Sequence, residues 1–134
     1  MSYYTYLDEL GDDVITGRVP ISRFTRDFMT EKVFIPTNES PTTGEPTEVM
    51  IDHEGISYQV VCSSQAAADQ LPDPVTKVNE VDGDDVFRLV REGVGILFQM
   101  YDEQLFFDPE TVQEIIHTYD IFNVHKTIDS TRDQ

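Results

Sequence analysis

The spacing of apolar positions changes period several times along the chain, and each change marks an element. Tyr3, Tyr6, Leu7 and Leu10 recur at helical intervals, and Gly11 predicts a break. A second helical piece is expected from Pro20 and Ser22, where Ser is a good N-cap, with Ile21, Phe24 and Phe28 on one face. Lys32 to Thr37 is β-branched and aromatic and reads as a strand finishing at Ile35-Pro36. Residues 38–47, rich in Pro, Gly, Ser and Thr, read as a mobile exposed loop too short to separate two domains.

Glu48 to Ser63 alternates as a hairpin. Val49 and Ile51 lead to an Asp-His-Glu-Gly turn, and Ile56, Tyr58, Val60 and Cys62 then share one face. Ser63 and Ser64 cap a short helix through Ala66, Ala67 and Ala68, which stops at Leu71-Pro72. Val75 to Val81 predicts another strand. The stretch from Asp84 to Ile116 is the most explicit. Val86, Phe87, Leu89 and Val90 form the buried stripe of a helix that Gly93 ends. Val94 to Met100 is apolar almost throughout, as a strand buried on both faces should be. Tyr101-Asp102-Glu103 turns the chain, Gln104 to Phe107 returns, and Asp108 with Pro109 opens a last helix lined by Val112, Ile115, Ile116 and Tyr119. The whole chain, 1–134, reads as one α+β domain. It is expected to hold a mixed or antiparallel sheet of about five to six strands with helices packed on it. Its core is expected at about 20–122 and a polar tail at 123–134.

Composition adds little until charge is counted. Nine Lys and Arg face 26 Asp and Glu, a formal net charge of −17. Phosphate recognition needs clustered cations, and here they are few and dispersed, so direct nucleic-acid binding and docking on an anionic membrane are disfavoured. No apolar run approaches the ~20 residues of a spanning helix, and the N-terminus has neither basic residues nor an apolar core like that of a signal peptide. One cysteine, Cys62, fits a reducing compartment, so a cytoplasmic location is expected. The field of so many carboxylates favours a basic protein partner and salt-sensitive association. Solubility alone, or a high-salt host, accounts for the same charge.

The chemistry-bearing residues are sparse. Of three histidines, His53 lies in the Asp52-His53-Glu54 turn, His117 is on the last helix and His125 is in the tail. Glu114 and His117 share a helical face, but a carboxylate-bridged metal site needs a second such pair, so a solvated face is the plainer reading. Cys62 precedes a helix start, where a thiol pKa can fall, yet alternation puts it on the buried face with no histidine near in sequence. Phosphate-binding loops, nucleophile elbows and calcium loops have no match. No catalytic residue, metal or cofactor is therefore assigned.

The order of elements and their punctuation resembles the N-terminal domain of the SseB family (enhanced serine sensitivity protein). The residues that carry the resemblance are Ile35-Pro36, then Val60-Val61-Cys62-Ser63-Ser64, then the helix ending at Gly93. Strand Val94 to Phe98 and the step Leu105-Phe106-Phe107-Asp108-Pro109 complete it, covering about Phe24 to Tyr119. Gln99-Met100 stands where the family pattern often carries Asn-Pro, and the second domain of full-length members has no counterpart. The resemblance implies a small bacterial domain without established catalytic residues, some members being encoded near secretion or toxin systems.

The expected function is a non-catalytic interaction domain whose acidic face, Asp69, Asp73, Glu80, Asp82, Asp84 and Asp85 with only Lys77 opposing, meets a basic partner. Its sharper form is an immunity-type protein that masks a basic toxin such as a nuclease. The alternatives are a small ligand-binding protein or hydrolase, with a pocket between sheet and helices and perturbed carboxylates or His53 in it, and a homodimer formed through Tyr3, Tyr4 and Tyr6.

Overall fold

A computed structural model describes residues 5–71, 75 and 77–119. Helix α1 (Tyr6–Ile15) begins where Thr5 and Asp8 cap each other, the Asp8 carboxylate accepting from the Thr5 N–H at 2.7 Å. It runs through Gly11 without the expected break. A Cβ at Gly11 would lie 2.2 Å from the Met100 sulfur, so this glycine serves close packing, not termination. Helix α2 (Ile21–Thr30) takes Pro20, not Ser22, as its N-cap. Phe24 and Phe28 are buried as the spacing predicts, whereas Ile21 is half exposed in the first turn.

Strand β1 (Lys32–Glu39) continues past Pro36, and β2 (Pro46–Glu48), expected as loop, pairs with it at Thr37↔Glu48 and Asn38↔Thr47. The region 38–47 is thus largely a hairpin, closed by the Ser40 N–H donating to the Glu45 carbonyl at 2.8 Å. Pro36 is tolerated because its backbone polar edge faces away from the neighbouring strand β5 (Lys77–Asp82). Its carbonyl accepts from the Val49 N–H at 3.3 Å on the opposite edge, so the missing donor leaves the β1–β5 ladder intact.

Strand β3 (Met50–His53) joins β4 (Ile56–Cys62) through Glu54-Gly55, both at positive φ as a tight hairpin requires. Val49, between β2 and β3, bonds to Pro36 on one side and accepts from the Val60 N–H on the other. A straight run through Val49 would leave β1 and β4 parallel. They meet antiparallel at Phe34↔Cys62, so the chain bends sharply there.

Helix α3 (Gln65–Ala68), capped by Ser64, precedes β5, which covers the outer edge of β1. Helix α4 (Gly83–Leu89) leads to β6 (Gly95–Gln99), which is parallel to β4. Strand β7 (Gln104–Phe107) returns antiparallel to β6, and α5 (Pro109–Thr118) follows. Among the described residues the result is an α+β domain with a mixed, open sheet of seven strands, one beyond the expected range because β2 lies in the Pro- and Gly-rich stretch that predicts loop.

Alternation sends β4 side chains to two layers. Val61 joins Val33, Ile35, Ile96 and Phe98 beneath α1, α2, α4 and α5, where Phe24, Phe28 and Phe107 cluster around Phe98. Val60 and Cys62 face the opposite way, into a smaller layer under Ala67 and Ala68 of α3. Helix α4 is shorter than its apolar spacing predicts. Val90 is already extended, so Leu89 is 68% exposed, and Gly93 sits beyond the helix in a turn at φ +81°. Tyr3, Tyr4, Asp73, His125 and the expected tail lie outside the described residues.

Candidate functional site

The expected acidic face is only partly assembled. The carboxylate oxygens of Asp82, Asp84 and Asp85 converge within 4.8 Å of one another. Strand β5 ends at Asp82 and α4 begins at once, so the three acids gather around the helix start. They are not unopposed. Lys32, directly across the β1–β5 ladder, bridges Asp82, and Arg88 reaches Asp84 at 2.9 Å and Asp85 at 2.8 Å. This corrects the expectation that Lys77 alone opposes the cluster. Lys32 is brought in by strand pairing and Arg88 by helical repeat, neither of which follows from proximity in sequence to Lys77. Asp69 ends α3 on the other side of the sheet, and Glu80 is exposed on β5. Asp73 lies outside the described residues.

A second acidic surface, absent from the sequence expectations, is built between α1 and the β6–β7 turn. A concavity of about 280 Å³ there is lined by Asp8, Glu9, Asp12, Asp102 and Glu103, all of them acidic. Asp8 anchors it. Its carboxylate is buried and accepts from the Thr5 hydroxyl at 2.6 Å, the Ser63 hydroxyl at 2.9 Å and the Tyr101 N–H at 2.8 Å. One side chain thereby ties the start of α1, the end of β4 and the β6–β7 turn together.

The rim is different in kind. Desolvation raises the Glu103 carboxyl above the usual range, and a hydrogen bond with Asp12 and the charges of Asp12, Asp102 and Asp8 act the same way. Asp8 and Asp12 are one helical turn apart, which sequence alone shows. Their meeting with Asp102 and Glu103 spans some ninety positions and depends on how α1 docks, which no local pattern encodes.

The remaining candidates resolve into structure. Cys62 is fully buried and burial pushes its thiol up to about 12, far from a reactive thiolate. The His53 ring stacks on Phe106 at 4.9 Å between centroids, and Asp52 beside it accepts from the Ser57 hydroxyl at 2.7 Å. Glu114 and His117 are both exposed on α5. Tyr6, one of the aromatics considered for self-association, donates its hydroxyl to Asp27 of α2 at 2.6 Å. That bond raises the Tyr6 pKa and lowers that of Asp27.

A further groove of about 180 Å³ separates α2 from α5 and is lined by Ile21, Thr25, Thr111, Glu114, Ile115 and Tyr119, among others. It holds one carboxylate, and the Thr25 hydroxyl is already committed to the Ile21 carbonyl at 2.9 Å. Among the described residues no helix is long and apolar enough to cross a membrane. No family model, curated protein or solved structure matches this chain.

Proposed function

We propose that this chain is a non-catalytic interaction domain whose acidic surface receives a basic protein partner. The observation that carries the reading is the concavity lined by Asp8, Glu9, Asp12, Asp102 and Glu103, where five carboxylates gather with no cation among the lining residues and the exposed Arg18 reaches only Asp12 of the five, at 3.9 Å. An excess of negative charge in a concave surface attracts and orients a cationic partner over distances set by ionic strength. The Asp82, Asp84 and Asp85 cluster is the weaker candidate, because Lys32 and Arg88 already satisfy it. The buried, protonated thiol of Cys62 and the stacked His53 support a role without catalysis. Masking of a basic toxin is the most specific form of this reading, and the resemblance to the SseB N-terminal domain is compatible with it.

The test is affinity capture from native lysate at low and at high salt, using wild-type protein, the triple variant Asp12→Asn/Asp102→Asn/Glu103→Gln, and Asp84→Asn/Asp85→Asn. A basic protein retained at low salt, released at high salt and lost only with the triple variant is the expected result. Identical capture by wild type and the triple variant overturns it. The rival reading, a small ligand between α2 and α5, predicts the reverse: binding indifferent to the triple variant and abolished by a bulky substitution at Thr25.

A further inference from the structure

The sheet ends at β7, whose single strand neighbour among the described residues is β6. The pairing register tells which backbone groups face outward. The Met100 N–H donates to the Glu103 carbonyl at 2.8 Å, so Met100 and Glu103 form a hydrogen-bonded pair. In an antiparallel ladder such pairs alternate. Leu105 and Phe107, opposite Phe98 and Ile96, therefore direct their backbone groups into the sheet. Gln104 and Phe106 direct theirs outward, along an edge that no other strand among the described residues covers.

An open edge is a template for another strand, and the charges around it decide which strand it accepts. Asp102 and Glu103 lie at the entrance to β7 and Asp108 at its exit, with the acidic concavity alongside. A second copy of this chain would bring another −17 against the first and juxtapose like charges at both ends of the pairing. A basic strand meets the opposite situation. Phe106, 41% exposed and packed against His53 and Tyr58, offers an apolar ledge beside the outward backbone groups.

We propose that β7 is a docking edge for an extended, Lys- or Arg-bearing segment of a protein partner. That segment adds as a further strand through Gln104 and Phe106 while its cations reach the carboxylates of Asp12, Asp102 and Glu103. This inference rests on the acidic-interface reading and specifies how the partner is held.

The probe is a labelled peptide in which Lys and Val alternate, titrated by fluorescence anisotropy against the full chain. Two peptides accompany it: the same sequence methylated at every backbone nitrogen, and one with Glu in place of Lys. On the protein side, Gln104→Pro removes an outward donor at an edge position where proline is tolerated. The unmethylated basic peptide is expected to bind at low salt. Methylation and Gln104→Pro should each weaken it about tenfold, in keeping with loss of one or two backbone hydrogen bonds. The Glu peptide should not bind. Equal binding of the two basic peptides overturns strand addition and leaves the acidic interface standing. Binding by neither basic peptide overturns both. The methylated probe separates these outcomes even if Gln104→Pro unfolds the protein.

Discussion

Asp8 shows how much a single side chain can organise. Its carboxylate accepts four hydrogen bonds from three parts of the chain while buried, so its loss leaves the buried Ser63 hydroxyl without its acceptor and weakens the ties to Thr5 and Tyr101. Asp8→Asn, which turns one acceptor into a donor, should lower the unfolding free energy by about 2–3 kcal/mol in urea titration. Ser63→Ala, which removes one donor, should cost about 1 kcal/mol. The capping half of this role is legible in the sequence, because Thr5 and Asp8 stand in the capping-box spacing. The ties to Ser63 and Tyr101 are not, since they require the tertiary fold.

Glu103 behaves in the opposite sense. Its folded-state pKa is raised, first by desolvation and then by Asp12 and its neighbours, so the folded protein holds this proton more tightly than the unfolded chain. The stabilisation is therefore complete in acid, below the unfolded carboxyl range, and is lost as pH rises through the folded value. Glu103→Gln should raise Tm at neutral pH and leave it unchanged in acid, where the wild-type carboxyl is already neutral. A shift in the other direction at neutral pH would mean that the ionised carboxylate makes a favourable contact.

At the scale of elements, strand and helix identities follow from periodicity, but their ends do not. Helix α4 stops at Leu89 although its apolar spacing continues to Val90, and β1 runs through Pro36 because the missing donor leaves its ladder with β5 intact. Both boundaries are set by what each segment packs against. The junction of β5 with α4 is the tightest example. A Cβ at Gly83 would fall 1.8 Å from the Phe28 carbonyl oxygen, and backbone cannot step aside. Gly83→Ala should therefore cost about 3 kcal/mol, by forcing α2 and α4 apart. Gly11→Ala is crowded by the end of the Met100 side chain, which can rotate, and touches Leu105 at an ordinary contact distance, so it should cost clearly less. Thermal melts of the two variants side by side check the ordering.

For the whole molecule, charge is legible in full and its arrangement is not. Composition gives the excess of carboxylates, but which of them are opposed depends on β1 lying against β5 and on α1 lying against the β6–β7 turn. The expected face follows the density of acids along the chain, yet the strand pairing and helical repeat that gather those acids also bring Lys32 and Arg88 to them. With a net charge of −17 the folded state carries substantial self-repulsion. Added sodium chloride should raise Tm steadily toward high ionic strength, as screening shortens the reach of that repulsion. A Tm insensitive to salt would show that local pairs such as Arg88 with Asp84 and Asp85 dominate instead.

The thiol of Cys62 has an experimental use. The chain has one cysteine and no tryptophan, and that cysteine is sealed between β4 and α3. A thiol-specific reagent can therefore modify the protein only when the sheet opens, at a single position and with a single mass increment. The labelling rate, followed against denaturant, becomes a clock for opening of the inner strands. The chain thus carries its own reporter of unfolding, with no substitution needed to install one.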